Sequence, residues 1–230
     1  MSRINSKWPH LLPVEGIQSI DINVGGPCIH VSVYMVFGYR TAVNQPTNRS
    51  QKAAMSELSE FREGKDRYFG QDPDASLTPE QQGRFAGLAY YPENSALQFA
   101  LTIDELSDQE KETIEIVTST GDSQPYVRWG TISFQVEGET ATLTVYRHEN
   151  DGEFFLPFTD LTRGQSSYGE GRYVDLEPLH HGRFRLDFNY AYNPYCAYNA
   201  NWSCPVPPVE NRLDVAIEAG EKSFPDAESH

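Results

Sequence analysis

The chain has 230 residues, a formal charge of −15 and an aromatic complement of 13 Tyr, 12 Phe and 3 Trp. That length can bury a sizeable core without disulfide or metal staples, and the aromatic content excludes wholesale disorder. No apolar run is long enough to cross a membrane as a helix, and the negative charge repels nucleic-acid phosphates, so neither membrane nor nucleic acid is an expected partner.

Only five of the basic residues are Lys against thirteen Arg, facing 33 Asp and Glu. An acidic, Lys-poor surface stays hydrated at high salt, where its self-repulsion is screened, so the composition reads as halophilic-like and soluble. The charge is also uneven. Residues 1–54 carry five basic and two acidic side chains, whereas the rest carries thirteen and thirty-one. We read 1–54 as an N-terminal extension, with a strand at Ile29 to Gly38 as the competing reading, and 55–230 as a single β-rich globular domain. The apolar stretch Ile29 to Phe37 is broken by His30 and Ser32 and has no basic run immediately before it, so it does not read as a secretory leader. A cytoplasmic setting is expected.

From Ser56, the spacing of Leu58, Phe61, Lys65, Tyr68 and Phe69 predicts a helix ended by Gly70 and Pro73. Thr78-Pro79-Glu80 combines a capping residue, a first-turn proline and an acid, which start a second, short helix before Gly83. Strand signals follow at Leu88 to Tyr91, Leu97 to Ile103 and Glu112 to Thr118. Tyr126 to Val136 and Thr140 to Tyr146 alternate with period two around Glu137-Gly138, a strong hairpin. Phe154 to Phe158, Arg172 to Leu176 and Arg183 to Phe188 complete the set, the last two joined across His180-His181-Gly182. About eight short strands with regular turns give a mainly β fold: an antiparallel curled sheet, barrel- or sandwich-like, with one or two short N-terminal helices. No β-α alternation is present.

Tyr168-Gly169-Glu170-Gly171-Arg172-Tyr173 contains two glycines but precedes a strand, which makes it a turn rather than a phosphate cradle. The densest chemistry lies between Arg183 and Cys204. Phe184, Phe188, Tyr190, Tyr192, Tyr195, Tyr198 and Trp202 alternate with Asn189, Asn193, Asn199 and Asn201. Aromatic walls with a few amides suit a pocket for a small polar organic ligand; the same pattern also fits a tyrosine-rich core edge with Asn side chains on turn backbone. Cys196 and Cys204 read first as structural thiols or a disulfide, then as ligand contacts, last as nucleophile or metal ligands, because no zinc spacing accompanies them. No calcium loop, P-loop or hydrolase elbow is present. No cofactor and no metal are expected.

In order along the chain, Phe158-Thr159-Asp160, the Tyr168–Tyr173 segment and Asp187-Phe188-Asn189-Tyr190-Ala191-Tyr192-Asn193-Pro194-Tyr195-Cys196-Ala197 are followed by Cys204-Pro205-Val206-Pro207-Pro208. Glu210-Asn211-Arg212-Leu213 and Ala219-Gly220-Glu221-Lys222 continue the series. This succession resembles the domain of unknown function 1684 over residues 56–224, most closely from Phe154 onward. The resemblance implies a β-rich globular domain with no assigned activity.

The ligand-binding candidates are Tyr168, Arg172, Asp187, Asn189, Asn193, Cys196, Tyr198, Asn211 and Glu221. Three classes of function are open: binding of a small polar organic molecule, hydrolase-type chemistry by Asp187 with Arg172 or by a Cys, and a structural or interaction module. For binding, Arg172 and Asp187 sit on neighbouring predicted strands. Pairing about the His180–Gly182 turn sets Asp187 opposite Asp175 and Arg172 near Tyr190, on opposite faces of the sheet; a one-residue slip or bulge brings them to one side, with the Pro194–Pro208 loop folded over them.

Overall fold

A computed structural model describes residues 56–149 and 152–226. The expected extension and its Ile29–Gly38 strand lie outside these residues. Helix α1 (Glu57–Gln71) starts where Ser56 accepts a hydrogen bond from the Ser59 amide at 3.1 Å. It buries Leu58 and Phe69, and also Lys65, on one face. Helix α2 (Pro79–Arg84) carries a full capping box: the Thr78 hydroxyl accepts from the Gln81 amide while the Gln81 side chain accepts from the Thr78 amide. The two reciprocal bonds satisfy amides that a helix start otherwise leaves orphaned. Gly83 does not stop α2, which runs one residue further.

Among the described residues ten strands follow, all paired antiparallel. β1 (Gln98–Thr102), β9 (Leu176–Pro178) and β10 (Arg183–Asp187) form one sheet in the order β1–β10–β9. β2 (Asp104–Glu105), β4 (Ser123–Val136), β5 (Glu139–His148) and β6 (Phe154–Phe155) form a second in that order, with β3 (Thr113–Val117) also on β4. β7 (Pro157–Phe158) and β8 (Arg172–Tyr173) make a two-stranded ladder. The β4–β5 hairpin turns through Glu137 (φ 52°) and Gly138 (φ 91°), the paired positive φ values that match a two-residue turn to strand twist.

The inward residues of both sheets share one apolar core. Ile132, Phe134, Leu143 and Val145 from the hairpin meet Leu186 and Phe188 from β10 and its exit. Phe134 lies 5.1 Å from Phe99 of β1 and 5.2 Å from Phe188, ring centre to ring centre. Each such fully buried side chain removes apolar area worth about 1.5–3 kcal/mol. The expected mainly β, curled, sandwich-like fold is observed, and the described strands do not close into a barrel.

Three expected strands differ from their reading. Leu88 to Tyr91 contributes a single bridge, Tyr90 to Glu221, because it meets an irregular C-terminal segment rather than a sheet edge. Phe154 to Phe158 breaks at the buried Leu156, where the chain leaves the β5 edge and joins β8. Arg172 to Leu176 breaks likewise, since Tyr173 pairs with β7 while Leu176 pairs with β10.

Candidate functional site

β10 and the segment after it frame the site. Asp187 closes the strand by accepting, on Oδ1, the Asn189 amide and the Asn189 side-chain NH2, each at 2.9 Å. That cap sets the short 3-10 turn Phe188–Tyr190. The β9–β10 register is the one expected, with Arg185 opposite Glu177 and Leu186 opposite Leu176. Past the turn, Tyr192 pairs with Tyr173, three positions beyond where that register would carry it. The inserted turn therefore displaces Arg172 from the position near Tyr190 that uninterrupted pairing requires.

Between the β9–β10 edge and the β3–β6 sheet lies a cleft of about 680 Å³. Tyr190, Tyr192, Tyr195 and Trp202 wall one side, and Tyr126, Phe155 and Tyr173 the other. The rings form a continuous lining: Tyr126–Phe155 at 4.9 Å, Phe155–Tyr173 at 4.8 Å, Tyr173–Tyr192 at 5.9 Å and Tyr195–Trp202 at 4.9 Å. Pro194, Ser203, Cys204 and Pro205 bring the long loop against the same space, as expected of that loop. The polar groups include Asp175, Glu177, Arg185, Asp187, Asn193 and His148. Burial raises the Tyr173 and Tyr192 phenols well above the ordinary value, keeping them neutral donors: Tyr173 OH donates to the Pro205 carbonyl at 2.5 Å and Tyr192 OH to Asp175 at 3.1 Å.

Of the nine candidates, Asp187 and Asn193 line the cleft. The others hold the fold. Arg172 is fully buried and faces Asp160 (Nη2 to Oδ2, 2.9 Å) and the carbonyls of Ile217, Ala219 and Glu221, at 2.8, 2.5 and 3.0 Å. The expected Arg172–Asp187 pocket is thus not formed: Asp187 caps its own turn, and the guanidinium fastens residues 217–221. Asn211 clamps β5 to β7, accepting from the Thr144 amide at 2.8 Å and donating to the Thr144 and Pro157 carbonyls at 2.9 and 2.7 Å. Asn189 does the same for Asn94, bonding both its amide and its carbonyl.

Glu221 is the centre of a buried network. It takes the Lys65 ammonium on one oxygen, and the Tyr198 hydroxyl and Asn193 amide on the other. The neighbouring Lys222 ammonium lies 4.9 Å over the Tyr91 ring. Burial pushes the Lys65 pKa down, and the Glu221 charge opposes that shift.

Cys196 and Cys204 are both free, buried thiols. The Cys196 amide donates to Cys204 Sγ at 3.3 Å, and Tyr168 OH reaches Cys196 Sγ at 3.8 Å. The hydrogen bond between the thiols lowers the Cys196 pKa and, with burial, raises that of Cys204. Cys204 is the one in the cleft, and a raised pKa keeps it a protonated, weak nucleophile. Among the described residues no group of three His, Cys, Asp or Glu side chains could hold a metal ion.

The aromatic run at 184–202 announced one wall of the cleft. The opposite wall, Tyr126, Phe155 and Tyr173, was read only as strand. Its period-two alternation gives the face of each residue but not the loop that faces it.

Fold and site define an open antiparallel β-sandwich protein with an aromatic cleft beside its core. The chain belongs to the family described as Protein of unknown function (DUF1684), which matches residues 83–222. The match starts after α1, later than the expected residue 56. Among solved structures, the chain is similar to the solution NMR structure of the uncharacterized protein from gene locus rrnAC0354 of Haloarcula marismortui. That protein is 35% identical, with a TM-score of 0.55 over 72% of this chain and 91% of the other. No curated protein matches the chain. No helix among the described residues is long and apolar enough to cross a membrane.

Proposed function

We propose that the protein binds a small polar organic molecule in the aromatic cleft. The observation that carries this reading is the cleft itself: a space of about 680 Å³ walled by rings from the segment after β10 and from β4, β6 and β8, with Asp187 and Asn193 among its polar groups. Small-molecule sites commonly have this form, an apolar concavity of roughly 300–1,000 Å³ with a few fixed polar groups. Asn193 is held beside the cleft by its side-chain NH2, which donates to the Lys222 carbonyl at 2.8 Å.

The test is a thermal-shift screen of the purified protein against metabolites, repeated on Trp202→Leu. A ligand that stabilises the wild type should lose its effect in the variant, whose own melting temperature stays close to wild type because Trp202 is half-exposed. A ligand that stabilises both proteins equally binds elsewhere and overturns the assignment of the cleft.

A further inference from the structure

The ionisable groups around the cleft are unequal. Glu153, Asp175, Glu177 and Asp187 contribute carboxylates, against Arg185 as the one guanidinium. That guanidinium is already committed: its Nε lies 2.7 Å from Glu177, and Glu57 stands 3.8 Å from its Nη2. An anionic ligand would have to displace these carboxylates to reach it. The buried Lys65 ammonium is bound to Glu221 and does not itself line the cleft, and it stands 5.2 Å from the centre of the Tyr192 ring. Asp187, by contrast, spends Oδ1 on Asn189, and among the described residues its Oδ2 meets no hydrogen-bond donor.

Resting on the reading of the cleft as a ligand site, we propose that its ligand is an organic cation, of the alkylammonium class. Two independent physical features favour positive charge. The lining rings carry a quadrupole that attracts a cation within about 6 Å of the centroid, as Tyr190 does for the Arg185 guanidinium at 5.9 Å, and Tyr126, Phe155, Tyr173 and Trp202 line the same space. The carboxylates supply negative potential in a partly desolvated space, where Coulombic attraction exceeds its value in water. An alkylammonium group satisfies both, because its methyl groups cover the rings while its diffuse charge needs no fixed hydrogen-bond donor. A carboxylate or phosphate meets the acidic rim and the ring faces unfavourably.

Three probes of similar shape and different charge separate the cases: choline, its uncharged analogue dimethylbutanol, and the anion trimethylacetate. Each is titrated calorimetrically into the full chain at one fixed ionic strength. Choline is expected to bind at least about tenfold tighter than dimethylbutanol, with trimethylacetate weakest. Asp175→Asn, at an exposed position, should narrow the choline preference while leaving the melting temperature unchanged. Equal or tighter binding of dimethylbutanol or trimethylacetate, abolished in Trp202→Leu, would overturn the cation assignment and leave the cleft reading standing. Absence of binding by all three probes also overturns the cation assignment; the cleft reading then stands or falls on its own metabolite screen.

Discussion

Asn211 and Arg172 show how a buried polar side chain acts as a fastener. Each sits at zero exposure, and each ties together segments far apart in sequence. Asn211 replaces a missing strand partner, offering Thr144 both an acceptor and a donor on the edge of β5 that β6 covers only at Tyr146 and Arg147. Arg172 gathers three carbonyls of an irregular segment that has no sheet to satisfy them. Arg172→Met should therefore destabilise the protein by about 3–5 kcal/mol, because Asp160 would be left as an uncompensated buried charge. Equilibrium denaturation measures this. A loss below about 1 kcal/mol would show that the guanidinium is not a structural element, and would return it to the list of ligand contacts.

At the level of elements, the irregular segment from Pro205 to Phe224 behaves as a strap drawn across both sheets. Gly220 lets it pass. With φ at +74°, an added Cβ would stand 2.5 Å from the Ala191 carbonyl oxygen and 2.7 Å from that of Phe188. Gly138 at the hairpin tip also has positive φ, yet an added Cβ there meets nothing within 4 Å. Gly138→Ala should cost about 1 kcal/mol, the conformational penalty alone. Gly220→Ala should cost about 3 kcal/mol or more, since backbone must also move. Similar unfolding midpoints for the two variants would refute the distinction. The hairpin, the helix caps and the aromatic run were all legible in the sequence, because each is a local pattern of propensity and spacing. The strap was not. Its bonds join the carbonyls of Ile217, Ala219 and Glu221 to Arg172, and the Glu221 carboxylate to Lys65, and no periodicity links residues whose pairing depends on tertiary position. Asn193 was legible through the aromatic–amide pattern and Asp187 as the acid closing the Arg183 to Phe188 strand, whereas Arg172 lies away from the cleft because the 3-10 turn at Phe188–Tyr190 broke the strand register.

For the whole molecule, the excess of acids sets the conditions under which the fold is stable. Screening lengths fall from about 10 Å at 0.1 M salt to about 3 Å at 1 M, so repulsion among surface carboxylates fades across that range. The melting temperature should rise by several degrees between dilute buffer and molar sodium chloride, and equal values would remove the idea of adaptation to salt. The strap has a further consequence, in time rather than in energy. Lys65 on α1 and its partner Glu221 are 156 positions apart. A ribosome therefore exposes the helix long before it makes the residue that neutralises the helix's buried ammonium. Throughout that interval α1 has no settled dock, and the apolar side chains that share its buried face remain open to chaperones. The stretch around Glu221 is the one that ends this vulnerability, so synthesis halted short of it would release a chain with the described sheets largely made and α1 unanchored.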